Sequence, residues 1–153
     1  METLLVPNEP FLDQISELLA EGKLVTIRTK GNSMLPFIHG SRDCVELEGC
    51  DYADVDDIVL ARVPYANNAE KYRYVLHRII EINDGFVTLM GDGNIHGTEH
   101  CSMKDISGRV LCIIKENGRR HDCCSPRSRR LARLWRRMLP LRRYLLGIYR
   151  IFV

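Results

Sequence analysis

At 153 residues, with 45% hydrophobic and 27% charged residues, the chain has the composition of one globular domain with a real core, which excludes a low-complexity or disordered polymer. Its formal net charge of +2 conceals a division: residues 1–117 carry 11 Lys+Arg against 19 Asp+Glu, a balance of −8, whereas residues 118–153 carry 11 Arg against Asp122 alone, a balance of +10. The six cysteines accompany no export signal, so a disulfide scaffold of the small secreted kind is not expected.

The N-terminus, M-E-T-L-L-V-P-N-E-P, has no positive n-region and no long apolar run, and so predicts neither a cleaved signal peptide nor an anchor. Residues 8–22 read as a helix within an N-terminal helical segment, 1–23: Asn8 caps it, Pro10 suits the first turn, Phe11, Leu12, Ile15, Leu18 and Leu19 share a face, and Gly22 ends it. From Leu24 to Lys115 the pattern changes to short β-branched runs, L-V-T-I-R-T, C-V-E-L-E, D-I-V-L-A-R-V, R-Y-V-L-H-R-I-I-E-I, G-F-V-T-L-M and G-R-V-L-C-I-I, separated by turn residues such as Asn83-Asp84-Gly85. Strands without intervening helices predict a mainly β, β-rich α+β domain built on an antiparallel sheet.

Residues 116–130 are polar and contain Gly and Pro, which predicts a linker. In the tail, 131–153, Leu131, Leu134, Trp135, Met138, Leu141, Leu145, Ile148, Tyr149 and Phe152 follow helical spacing while Arg133, Arg136, Arg137 and Arg143 fall mostly elsewhere, giving a basic amphipathic helix kinked at Pro140. Its uncharged stretch Tyr144–Tyr149 is far short of the roughly 20 apolar residues a membrane span needs. The expected partner is an anionic membrane surface, met by the Arg-rich face, and the expected location is cytoplasmic or peripheral on a membrane.

Chemistry concentrates between the first two predicted strands, at Lys30-Gly31-Asn32-Ser33-Met34-Leu35-Pro36. Gly31 permits an unusual backbone angle and Pro36 stiffens the exit, so the segment can present Ser33 on a rigid turn. A serine after Gly-Asn is by itself a common turn residue; as a nucleophile it needs a base within hydrogen-bond reach and donors for the developing oxyanion. Gly-x-Ser-Met-x-Pro-x-Ile, followed by Cys-Val-Glu-Leu, resembles the nucleophile box of the signal-peptidase and LexA-type serine peptidase superfamily. Asp56-Asp57-Ile58-Val59-Leu60-Ala61, His77-Arg78-Ile79, Gly91-Asp92-Gly93-Asn94 and Asp105-Ile106-Ser107-Gly108-Arg109-Val110 are similar, in order, to that superfamily's later boxes, covering roughly residues 24–115.

The resemblance implies a serine endopeptidase that cleaves a signal, leader or other peptide segment, with Ser33 as nucleophile and His77 as general base. Gly31, Asn32, Met34 and Pro36 form its nucleophile loop. Histidine rather than lysine at the base position is similar to the archaeal, sporulation and endoplasmic-reticulum signal peptidases. The pattern departs from that group where the third triad member is expected: Glu99, in His96-Gly97-Thr98-Glu99-His100, and Asp92 are the two substitutes. It also has Gly31 where signal peptidases often carry a serine, which puts more of the oxyanion stabilisation on backbone donors. No cofactor is implied; the histidines and cysteines form neither paired C-x-x-C units nor an H-E-x-x-H helix, so no metal site is expected.

Two other functions share these boxes. A LexA-like self-cleaving regulator would need a DNA-reading module, and the 23 residues before the first predicted strand provide space for one helix only, so nucleic acid is not an expected partner. An inactive module that grips peptides at a membrane would keep the cleft and lose the chemistry.

Overall fold

The computed structural model describes residues 3–5, 9–65 and 67–152, with backbone alone at 3–5, Glu9 and Ala69. Among the described residues nine strands form one mainly antiparallel sheet: β1 (Thr3–Leu5), β2 (Val25–Arg28), β3 (Cys44–Glu48), β4 (Ile58–Tyr65), β5 (Asn68–Asn83), β6 (Phe86–Met90), β7 (Glu99–Ser102), β8 (Ile106–Ile114) and β9 (Arg120–Asp122). The order is β1-β2-β3-β8-β4-β5-β6-β7, with β9 added to β8; only β1, on β2, is parallel. Helix α1 (Glu9–Ala20) precedes β2, and α2 (Pro126–Arg137) and α3 (Arg142–Ile151) close the chain. The antiparallel, β-rich architecture with a helix at each end is the one the sequence predicts.

α1 forms because its apolar residues recur at helical spacing. Leu12, Ile15 and Leu19 are buried against Val25, Ile27, Val45 and Leu47 of the sheet, each contributing about 2 kcal/mol, and Phe11 and Leu18 pack beside them. Gly22, at φ 86°, ends the helix by donating its N–H to the Leu19 carbonyl at 3.0 Å. The expected cap, Asn8, lies outside the described residues. β4 is buried on both faces, which explains its unbroken apolar run: Ile58 and Leu60 join the α1 core, while Val59, Ala61 and Val63 join a second core with Val75, Ile79, Val87 and Leu89.

Three local expectations need correction. The N-terminal segment holds a strand, β1, as well as its helix. The polar stretch 116–130 is not a free linker: β9 pairs with Cys112–Ile114 of β8, and Ser125 caps α2, its Oγ accepting from the Ser128 N–H at 3.2 Å with Pro126 in the first turn. The tail is two helices, because α2 stops at Arg137 and a 3-10 turn, Leu139–Leu141, contains Pro140, which lacks the N–H that a continuous helix requires.

The tail lies on the acidic body. Arg129 pairs with Asp57 at 2.6 Å and Arg136 with Asp56 at 2.7 Å, and Ala132 and Leu146 are buried. Arg142 is buried as well, whereas Arg130, Arg133, Arg137, Arg143 and Arg150 are exposed, as are Leu134, Leu141, Tyr144, Ile148 and Phe152.

Candidate active site

The loop from β2 to β3 carries Ser33. Gly31 has a φ of 80°, a left-handed conformation that side chains resist, and its backbone lies so close to Gly40 that a Cβ on Gly40 would stand 1.9 Å from the Gly31 oxygen. The base of the loop is tied by Thr29 N–H donating to Asp43 O at 3.1 Å, and by Lys115 Nζ donating to Phe37 O at 2.6 Å and pairing with the Asp43 carboxylate at 3.0 Å. The Leu35–Pro36 peptide bond is cis. Met34 is buried in the α1 core, fixing the residue after the serine.

The turn after β6 docks this loop from behind. Gly93 N–H donates to Ser33 O at 2.8 Å, Asp92 N–H meets Met34 Sδ at 3.4 Å, and a Cβ on Gly91 would come within 2.4 Å of Ser33 O. The Gly-Asp-Gly-Asn box therefore positions the serine through backbone contacts.

His77 is buried on β5, and its Nε2 lies 3.0 Å from Ser33 Oγ. Its Nδ1 lies 3.1 Å from Glu99 Oε2. With Nδ1–H donating to Glu99 and the Ser33 hydroxyl donating to Nε2, the three side chains form one continuous hydrogen-bonded line. Glu99 arrives from the first position of β7, paired with Leu89 of β6, and the β5–β6 pairing ends at Arg78 and Met90, one residue short of His77.

Asp92 takes the other path. Successive strand residues face opposite ways, so Arg78, next to His77, turns from the serine and meets Asp92 through Nε at 2.8 Å and through a second nitrogen at 2.7 Å. Both side chains are buried. Burial opposes the Arg78 charge, but the Asp92 carboxylate outweighs it and raises the guanidinium pKa. Asp92 is thus not the acid that orients His77.

Sequence reasoning missed two further contributors. Arg73 stands 3.7 Å from Glu99 Oε1, the oxygen that His77 leaves free. Its spacing of four from His77 along one strand, which places both on the same face, was the available signal. The tail supplies the second: Trp135 Nε1–H donates to Asp92 O at 2.9 Å, and Arg142 donates to Asn94 O at 3.1 Å and to Gly91 O at 3.4 Å. Trp135 meets Phe37 edge-on with centroids 5.9 Å apart, and the Tyr149 hydroxyl is hydrogen-bonded to His39 Nε2. Both loops that build the site are therefore gripped by α2 and α3.

A cleft of about 330 Å³ opens beside Ser33 and His77, with Ile27, Met34, Ile38 and Leu60 among its apolar walls. Residues Tyr72–His77 of β5 pair with β4 on one side and, among the described residues, with no strand on the other. Among the described residues no group of three or more His, Cys, Asp or Glu side chains gathers as metal ligands do. Burial pushes the Cys101 thiol up to about 11 and the Cys123 thiol up to about 12, so these two are protonated and poor ligands at neutral pH. No protein-family model matches this chain, and no curated protein matches it.

Proposed function

We propose that the chain is a serine endopeptidase in which Ser33 attacks a peptide carbonyl, His77 moves the proton and Glu99 orients His77. One observation carries the reading: a single hydrogen-bonded line from Ser33 Oγ to His77 Nε2 at 3.0 Å and from His77 Nδ1 to Glu99 at 3.1 Å, at the edge of an open cleft. As Oγ bonds to the carbonyl carbon, its proton passes to Nε2 and the imidazolium is stabilised by Glu99. The Ser33 N–H, which donates to no acceptor among the described residues, is the donor for the oxyanion. The imidazolium then protonates the leaving amine, and water, deprotonated by His77, releases the acyl group.

The order of boxes from Ser33 to Val110 supports the same reading, as does the unpaired edge of β5, on which an extended peptide gains backbone hydrogen bonds. The substrate class is a signal, leader or other peptide segment. No helix among the described residues is long and apolar enough to cross a membrane. The exposed arginines and apolar residues of α2 and α3 favour an anionic membrane surface as partner.

The test is incubation of the protein with a mixed peptide library, read by mass spectrometry. New termini that disappear with Ser33→Ala and His77→Ala support the proposal. Cleavage that persists in both variants, or two fragments of the chain itself and no cleaved peptide, overturns it in favour of a contaminant or of self-cleavage.

A further inference from the structure

The cleft beside Ser33 has the opposite charge to the body that carries it. Residues 1–117 have a balance of −8, from 11 Lys+Arg against 19 Asp+Glu, yet Arg28, Lys30 and Arg73 line the cleft and no aspartate or glutamate does. Two carboxylates bond to residues of its wall: Glu99 faces His77 and Arg73, and Asp13 accepts from the Tyr74 hydroxyl at 2.6 Å.

The three cations are also available. Arg28 makes one long hydrogen bond, to Ser41 O at 3.5 Å, and the Arg73 contact to Glu99 is 3.7 Å with the Arg73 side chain 40% exposed. Lys30 is exposed and, among the described residues, has no hydrogen-bond or ion-pair partner. Guanidinium and ammonium groups at the mouth of an apolar-walled cleft focus a positive field into it, and a carboxylate gains more there than on an open surface. Arg28 and Lys30 approach from β2 and the loop after it, Arg73 from β5, so the charges stand on both sides of any chain lying between these strands.

We propose that this cleft selects acidic peptides, segments that place one or more carboxylate side chains within a few residues of the bond presented to Ser33. The inference rests on the peptidase reading for the location of that bond, while the charge preference is a property of the cleft itself. The walls from Ile27, Met34 and Ile38 take the apolar or small side chains that alternate with the carboxylates along an extended peptide.

The experiment uses the full chain carrying Ser33→Ala, so that nothing is turned over, and three fluorescein-labelled ten-residue peptides identical except for two central Glu, Gln or Lys residues. Fluorescence anisotropy at low salt is expected to give binding about tenfold tighter for the Glu peptide than for the Gln peptide, with the Lys peptide weakest and the difference shrinking in high salt. Lys30→Glu with Arg28→Glu is expected to reverse the order, whereas Arg130→Glu with Arg133→Glu on the tail leaves it unchanged. Equal binding of Glu and Gln peptides, no binding of the Glu peptide at 100-fold excess, or a preference abolished by the tail variant instead of the cleft variant overturns the proposal. Titration with inorganic phosphate separates a general anion site: phosphate displacing the Glu peptide at equal concentration also overturns it. Cleavage of a neutral peptide by the wild type with no charge preference refutes this inference alone. Acidic-peptide binding without any cleavage refutes the peptidase reading alone.

Discussion

Asp92 and Arg78 form a doubly hydrogen-bonded ion pair, 2.8 and 2.7 Å, with both side chains buried and one residue along β5 from His77. The two carboxylates that the sequence offered for one role therefore have separate ones: Asp92 balances a buried charge behind the serine loop, and Glu99 faces the imidazole.

Substituting the two acids separates these roles. Asp92→Ala leaves the Arg78 guanidinium buried without its counter-ion and is expected to cost about 3–5 kcal/mol of stability, read by urea unfolding. Glu99→Gln is expected to keep the unfolding midpoint and lower kcat/KM roughly ten-thousand-fold, because the amide no longer favours the tautomer that accepts the serine proton. A Glu99→Gln enzyme with near wild-type turnover would contradict the assignment.

The grip of the tail on the Gly91–Asn94 turn makes a second prediction. Trp135→Ala removes an indole hydrogen bond to Asp92 O and the edge contact with Phe37, and is expected to cost about 2 kcal/mol and to slow acylation of Ser33 about tenfold. Trp135→Phe keeps the ring contact and loses the donor, so its rate is expected between the two. If both variants acylate at the wild-type rate, the tail is attached to the body without positioning the site.

Alkaline stability follows from two thiols, Cys101 buried and Cys123 partly buried, and one phenol. Burial raises Cys101 to about 11 and Cys123 to about 12, and burial together with the Asp13 hydrogen bond raises Tyr74 to about 12. The unfolded chain loses these protons from about pH 9 for the thiols and pH 10 for the phenol, while the fold retains them. A folded pKa raised above the unfolded one gives stability that is fully present below the unfolded value and is lost as pH rises towards the folded one. Urea midpoints under reducing conditions are expected to be flat from pH 7 to 8.5 and to fall from pH 9 upward, and Cys123→Ala is expected to flatten that fall.

Most of the sheet was legible because its strands are apolar runs bounded by turn residues; β4 reads as I-V-L-A because both its faces are covered. β1, β7 and β9 were not, since T-L-L, E-H-C-S and R-H-D carry no β-branched run and exist through their registers with β2, β6 and β8. Ser33 and His77 were legible as residue types in ordered boxes. The choice between Glu99 and Asp92 was not, because it depends on where β6 stops pairing and on Arg78 claiming the nearer acid. The tail read as an amphipathic basic helix, but not which arginines turn inward: for Arg129 and Arg136 that is set by Asp57 and Asp56, more than 70 residues earlier in the chain, and for Arg142 by the carbonyls of Gly91 and Asn94.

The central claim is that Ser33 is an activated nucleophile, and its most direct measurement is covalent labelling with a fluorophosphonate, the adduct located by mass spectrometry. The structure predicts one adduct, at Ser33, that is lost in Ser33→Ala and in His77→Ala proteins of unchanged fold. A folded wild-type protein that takes no label, or labels elsewhere, would contradict it and leave a peptide-binding cleft without acyl chemistry.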